Sequence, residues 1–326
     1  MNHEHFMHRC LELAEEGRGF VGNGALVGSF LVRDGKVKAE ASHKKFGNNH
    51  SERELLEKFD QEIYSEDILY VNLEPCCHTG KTPPCTDIIL ERGIKNVVFG
   101  MMDPDPRVSG KGIEILKAKG VNIIGPVLRA ECERLNRGYI NLRTKGRPWI
   151  TLKKAQARDG SIAKPDGSPL KITSKEQDAW SHEWLRAKHD AILVGVGTIT
   201  NDNPRLTLHE LNKKFVQPYR IILDRSVRIP EASNVLCDEH RARTIVIISD
   251  KSATSDYAKA LKEKGIRLEG IPMEGSNFSW DHLWKVLTTP KEDFFGITSL
   301  LVEGGSKTWE AFHSSGFIDE DVLLLG

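Results

Sequence analysis

Two successive α/β series, each a sheet flanked by helices, are what this sequence predicts. Three observations carry the expectation. Apolar runs of strand length alternate with stretches whose apolar residues recur at helical spacing. The alternation stops at a basic, Gly- and Pro-containing stretch, RTKGRP over 143–148, and then resumes. A length of 326 residues also suits two domains better than one. The basic stretch is read as the linker, giving domains over 1–145 and 146–326.

Phe6, Cys10, Leu13 and Ala14 share one face of a helix over 3–16, which assigns Cys10 to the core. The run ALVGSFLV over 25–32 predicts a strand, and Asp34-Gly35 turns it into a second strand over 36–41. A helix over 50–59, a strand over 68–73, a helix over 85–92, a strand over 96–100, a helix over 113–119, a strand over 121–125 and a helix over 129–142 complete the first series. A mixed sheet covered by helices is the natural packing for it. In the second series strands are expected over 149–153, 191–194, 219–223, 244–248 and 300–303, and helices over 175–188, 255–264 and 307–314. The terminal VLLLG over 322–326 reads as a strand interrupted soon after it starts.

Composition removes several functions. With 46 Lys and Arg against 46 Asp and Glu there is no net field to grip nucleic acid or an anionic membrane, although a local basic pocket can hold one phosphate. No apolar run approaches the ~20 residues of a membrane span. The polar start MNHEHFMHRC is unlike a signal peptide, so the cytoplasm is the expected compartment. Of the 6 cysteines, Cys76, Cys77 and Cys85 fall in one decapeptide, which points to metal ligation or catalysis before disulfides.

The sharpest signal is His50-Ser51-Glu52 followed, one strand later, by PCCHTGKTPPC over 75–85. One imidazole and two thiolates, from His50, Cys76 and Cys85, suit a zinc ion and leave a fourth tetrahedral position for water, whose pKa would fall to about 7. Both His50 and Cys85 lie at expected helix starts, where the helix N-terminus is expected to favour the Cys85 thiolate. In zinc deaminases a glutamate two residues after the histidine ligand does not bind metal but carries the proton of the attacking water to the substrate. Glu52 occupies that position. Positions i and i+2 do not share a face of a regular helix, so an irregular first turn is expected. A closed structural site that adds Cys77 as fourth ligand is the competing reading; it leaves Glu52 without a purpose, and adjacent cysteines seldom reach one ion, so Cys77 is taken as a non-ligand.

These motifs resemble the zinc deaminase domain of the bifunctional riboflavin-biosynthesis enzymes, in which the two cysteines flank an HTGKTPP insert like that of residues 78–84. The resemblance runs over nearly the whole chain: MDPDPRVSGKGIEILKAKGV over 102–121, RLNRGYINLRTKGRPWITLKKAQARDGSIA over 134–163, AILVGVGTITNDNPRLTL over 191–208 and LLVEGGSKTWEAF over 300–312. It implies a cytidine-deaminase-like three-layer domain followed by a dihydrofolate-reductase-like α/β domain. It further implies hydrolytic deamination of a phosphorylated diaminopyrimidine, then NADPH-dependent reduction of its ribosyl to a ribityl chain. Carried over residue by residue, His50, Cys76 and Cys85 match the zinc ligands and Glu52 the proton shuttle. His43, His78 and Lys81 match positions that hold the substrate and its phosphate. Asn23 joins them if one residue is inserted in Gly22–Gly28 relative to the family's Asn-Pro turn. In the second half Ala155, Thr198 and Asp202 match cofactor positions, and Arg186, Leu206 and Glu303 match substrate positions. Gly305 and Ser306 would present backbone N–H groups to a cofactor phosphate, since the Gly304-Gly305-Ser306 turn leaves a strand and opens a helix. A homo-oligomer is the expected assembly.

The departures from the family fall mainly in the second half. Ser168-Pro169-Leu170-Lys171 stands where a serine and a tryptophan usually precede Ile-Thr, and His209 stands where an arginine usually follows Leu-Thr. An imidazole is a smaller, pH-dependent phosphate partner than a guanidinium. The chain also stops short of the family's usual C-terminal end, which would leave a sheet edge uncovered. An active deaminase with an impaired reductase, serving as a binding or oligomerisation module, is therefore the alternative. A deaminase of free bases, nucleotides or tRNA is a third reading, weakened by the long insert, the second domain and the neutral charge.

Overall fold

The computed structural model describes residues 2–161, 170–208 and 216–326. His209, Ser168 and Pro169 lie outside these described residues. The chain forms two compact units, one comprising Met1–Gly146 and Pro290–Phe295, the other Arg147–Thr289 and Gly296–Gly326.

In the first unit the strands are β1 (Gly28–Arg33), β2 (Lys36–Ser42), β3 (Ile68–Val71), β4 (Asn96–Phe99) and β5 (Asn122–Ile124). The helices are α1 (His3–Ala14), α2 (Ser51–Lys58), α3 (Cys85–Glu91), α4 (Lys111–Ala118), α5 (Arg129–Leu135) and α6 (Arg137–Lys145). The sheet order is β2-β1-β3-β4-β5, with β1 antiparallel to both neighbours and β3, β4 and β5 parallel. Asp34 and Gly35 both take positive φ in the β1–β2 turn, as the dipeptide predicts. The core runs through Met7, Cys10, Leu31, Leu56, Leu69, Val97 and Leu116, all fully buried. Burial pushes the Cys10 thiol well up, in keeping with a packing role. Parallel strands β3 and β4 deliver their following loops to the same end of the sheet, and those loops carry Cys76 and Asp103.

Two expectations need correction here. The helix expected over 129–142 breaks at Asn136, whose side chain instead holds the backbone of Leu26 from both sides: Leu26 N–H donates to its Oδ1 at 2.8 Å and its Nδ2 donates to Leu26 O at 3.0 Å. Half of the expected linker is helix, because α6 continues to Lys145 before Gly146 ends it in a left-handed conformation. Arg143 and Lys145 in its last turn complement the helix dipole.

The second unit contains β6 (Trp149–Gln156), β7 (Ala191–Gly195), β8 (Tyr219–Leu223), β9 (Thr244–Ser249), β10 (Arg267–Ile271), the short hairpin pair β11 (Met273–Glu274) and β12 (Asn277–Phe278), β13 (Ser299–Val302) and β14 (Glu320–Leu325). Its helices are α7 (Lys175–Trp180), α8 (Val196–Asp202), α9 (Asn234–Cys237), α10 (Asp256–Glu263), α11 (Trp280–Thr288) and α12 (Ser306–His313). Seven strands form one sheet, ordered β10-β9-β8-β7-β13-β6-β14, and every pairing in it is parallel. The middle of the sheet is buried, as in Ala191, Ile192, Leu193 and Val194 of β7. The terminal segment forms β14, which pairs with β6 from Glu320 to Leu325 as an edge strand on which Leu323 and Leu325 are exposed. The helix expected over 175–188 is α only as far as Trp180, then widens to a π-turn over 181–185 and tightens to a 3₁₀ turn over 186–188. Such irregular turns are common where side chains must be re-aimed, and Arg186 stands in this one.

Candidate active sites

His50 is the N-cap of α2, with extended backbone at φ −67° and ψ 159°, and Cys85 is the first residue of α3. Cys76 lies in the loop after β3. These three bring His50 Nδ1 to 3.4 Å from Cys76 Sγ and 3.5 Å from Cys85 Sγ, and all three donor atoms fall within 4.8 Å of one another. Nitrogen and sulfur donors converging this closely fit a zinc ion. Cys77 is turned elsewhere, with its Sγ 3.8 Å from the Arg107 carbonyl.

The start of α3 also acts on Cys76. The N–H of Cys85 at the start of α3 donates to Cys76 Sγ at 3.4 Å, so the helix terminus favours a thiolate on Cys76. Hydrogen bonds from Cys85 and His50 outweigh burial and hold the Cys76 thiol below its usual range. The hydrogen bond shared with Cys76, together with burial, pushes the Cys85 thiol well up.

Glu52 is 3% exposed, and burial next to Cys76 raises its carboxyl above the usual range. Its Oε2 accepts a hydrogen bond from Ser51 Oγ at 3.1 Å, while Ser51 Oγ and Ser29 Oγ are 2.5 Å apart. Because His50 stands at the cap and Glu52 in the first turn, both reach one cavity although they are not helical neighbours.

That cavity, of about 320 Å³, is also lined by Asn23, His43, Cys76, His78 and Lys81, so the first-unit residues singled out in the sequence gather at one place, with Cys85 buried beside it. Burial holds His43 below its usual range, and its Nδ1 meets the Asn49 carbonyl at 3.0 Å. Lys81 is exposed, with Nζ 3.9 Å from the ring centroid of Phe46.

The cavity holds residues that sequence reasoning passed over. Asp103 and Asp105 line it together with Arg107, Tyr139 and Arg143. Burial pushes Asp103 up to about 6; it accepts from Tyr139 Oη at 3.1 Å and from Asp105 N–H at 2.8 Å. Arg107 holds Asp105 at about 2. Buried Glu74 anchors their loop by accepting backbone N–H groups of Asp103, Gly110 and Gly112 at 2.9–3.2 Å. Two prolines, Pro104 and Pro106, soon after a strand were the available signal, since they bar helix and leave the adjoining Asp103 and Asp105 in a loop beyond the strand's end.

In the second unit Glu303 follows β13 and receives a bidentate contact from Arg186, with Nη2 2.6 Å from Oε2 and Nε 3.1 Å from Oε1. Lys153 of β6 lies 3.5 Å from the same carboxylate and was missed in the sequence, where nothing distinguished it from Lys154. Burial opposes ionisation of Glu303, but the Arg186 and Lys153 cations prevail and hold it at about 2. Leu206 is buried at φ 53°. Gly304 permits a close approach: a Cβ there would sit 2.3 Å from Thr308 Cβ. The N-cap of α12, Gly305, offers no side-chain cap, so the first N–H groups of the helix, Ser306 included, remain available to an anion. A Cβ built on Gly305 would be 3.9 Å from Thr198 Oγ1, which places the starts of α8 and α12 side by side and fits the phosphate part of a dinucleotide. Asp202 ends α8, and Ala155 lies on β6 opposite Leu324 of β14; neither is drawn into the Glu303 cluster by a hydrogen bond recorded among the described residues.

A three-donor zinc site with a buried glutamate in one unit, and a parallel sheet with a glycine-lined helix start in the other, define a two-domain deaminase–reductase. The comparisons agree. Residues 1–101 match the cytidine and deoxycytidylate deaminase zinc-binding region, and residues 148–326 match the RibD C-terminal domain. The chain is 38% identical over 322 residues to riboflavin biosynthesis protein RibD of Aquifex aeolicus, covering 99% of this chain and 86% of that one, and 35% identical to RibD of Bacillus amyloliquefaciens, covering 97% and 82%. It superimposes on Acinetobacter baumannii RibD with a TM-score of 0.83 at 29% identity, covering 99% and 86% of the two chains. Against the Thermotoga maritima diaminohydroxyphosphoribosylaminopyrimidine deaminase/5-amino-6-(5-phosphoribosylamino)uracil reductase the TM-score is 0.78 at 37% identity, covering 96% and 83%. The chain belongs to the RibD family of riboflavin biosynthesis, with a zinc-binding deaminase domain and a reductase domain.

Proposed function

We propose that the first unit hydrolyses the 2-amino group of 2,5-diamino-6-(5-phosphoribosylamino)pyrimidin-4(3H)-one, releasing ammonia, and that the second reduces the ribosyl chain of the product to ribityl with NADPH. The observation that carries the first step is the convergence of His50, Cys76 and Cys85 within 4.8 Å beside buried Glu52. Zinc held by those three residues would supply activation of water for attack on the ring carbon. Glu52 takes one proton of that water at a carboxylate oxygen and delivers it to the ring nitrogen, then carries the second, from the hydroxyl now on the ring carbon, to the amine that leaves as ammonia; its raised pKa suits a group that must both accept and donate. His43 donates from Nδ1 to the Asn49 carbonyl, so in the neutral form its Nε2 is an acceptor for a substrate N–H or O–H. Asn23 orients the pyrimidine, and His78 and Lys81 take the phosphate.

In the second unit NADPH would supply a hydride, held by Ala155, Thr198, Asp202, Gly305 and Ser306. Arg186, Leu206 and Glu303 orient the ribosyl chain against it. The intact Arg186–Glu303–Lys153 cluster favours an active reductase over an impaired one. A homo-oligomer in the cytoplasm completes this reading; among the described residues no helix is long and apolar enough to cross a membrane.

Incubation with the diaminopyrimidinone ribosyl phosphate, with and without NADPH, tests both steps by product mass. Without NADPH the deaminated ribosyl product is expected, and with NADPH the deaminated ribityl product. Absence of ammonia release would refute the first assignment, and ammonia release with no NADPH oxidation would refute the second.

A further inference from the structure

Phe46 forms part of the cavity wall, and the ammonium of Lys81 sits 3.9 Å from its ring centroid. Phe46 in turn stacks on Phe295, with ring centroids 5.0 Å apart and planes inclined by 22°. Phe295 closes the short segment Pro290–Phe295, which follows α11 in sequence but packs within the first unit. The same residue holds a second part of the wall: its carbonyl accepts the N–H of Asn23 at 2.9 Å. Gly22 makes that approach possible, since it has φ 57° and a Cβ there would lie 2.3 Å from Phe295 O. Phe295 itself does not line the cavity. It nevertheless touches both the loop that presents Asn23 and the ring that carries Lys81.

We propose that Phe295 is a positioning residue for deamination: its ring fixes Phe46 and through Phe46 confines the Lys81 ammonium where the substrate phosphate binds, while its backbone carbonyl, which a side-chain substitution leaves in place, holds the Asn23 loop. This rests on the assignment of Lys81 to the phosphate. A lysine on an exposed loop has a long, freely rotating side chain, and an aromatic face within cation–π distance restricts where its charge resides. The face is useful only if the ring is itself held, and the ring of Phe295 supplies that support. The phosphate is remote from the carbon that loses ammonia, so its contacts strengthen substrate and transition state alike. Losing such uniform binding raises KM and leaves kcat unchanged.

The test uses the full-length, zinc-loaded protein and measures ammonia release without NADPH. Phe295→Ala is expected to raise KM for the ribosyl phosphate about fivefold with kcat within about twofold, and to leave KM for the dephosphorylated riboside unchanged. Phe295→Tyr, which keeps the stack, should behave as wild type, and Phe295→Leu, which keeps most of the volume, should share the KM defect if Phe295→Ala proves too unstable to assay. In a Lys81→Ala background Phe295→Ala should add nothing, because both changes remove one interaction. An equal loss on both substrates, a fall in kcat at unchanged KM, or additive effects of the two changes would overturn the proposal. A Lys81→Ala variant with wild-type KM would instead overturn the phosphate assignment on which it rests.

Discussion

Ser51 Oγ donates a hydrogen bond of 3.1 Å to Oε2 of Glu52, the residue immediately after it. Ser51 is itself held by Ser29 of β1, 2.5 Å away, so a buried strand residue fixes the hydroxyl that fixes the carboxylate. The serine thus adds a hydrogen bond to a buried acid. Ser51→Ala should keep zinc and lower kcat for deamination by about fivefold, the equivalent of one hydrogen bond of ~1 kcal/mol. Unchanged kcat would show that packing alone orients Glu52.

Cys85 is fully buried, and its backbone N–H and sulfur both face Cys76. Cys85→Ala should remove zinc and with it the stability that binding confers, about 3 kcal/mol when zinc is two orders of magnitude above its Kd. Metal analysis and a denaturation curve check both, and chelation of the wild type should reproduce the loss. Full zinc occupancy in the variant would exclude Cys85 from the site.

Glu303 shows how acid should act on the second unit. Its folded pKa of about 2 lies below the ordinary glutamate value of about 4.3, so its contribution is complete above pH ~4.3, fades as pH falls and vanishes below pH ~2. Glu303→Gln leaves Arg186 and Lys153 as partly buried cations without their carboxylate and should cost about 3 kcal/mol at neutral pH. In urea denaturation the gap between variant and wild type should shrink between pH 7 and pH 3. A gap independent of pH would mean that Glu303 acts by packing.

Much of this was legible in the sequence, for identifiable reasons. His50, Glu52, Cys76 and Cys85 stand at helix starts or in a loop after a strand, where local signals are strong, and their residue types admit few chemistries. Asp34-Gly35 set the first hairpin because few other dipeptides accept two positive φ values. What stayed hidden depended on distant partners. The break at Asn136 is caused by Leu26, more than a hundred residues earlier in the chain. α8 escaped notice as a helix because Val196, Gly197, Thr198 and Thr200 all have weak helix propensity, and tertiary packing overrides it. Lys153 is one of two adjacent lysines, and only the fold shows which of them meets Glu303. Phe295 could not be linked to Phe46 from sequence, since no periodicity joins residues so far apart.

The central claim is that Glu52 moves the proton while His50, Cys76 and Cys85 hold the metal, and the most direct measurement is ammonia release by Glu52→Gln with zinc quantified in the same preparation. The account predicts full zinc occupancy and a fall in deamination of several orders of magnitude, because the ligands remain and only the proton carrier is lost. Near wild-type ammonia release from that variant would contradict it.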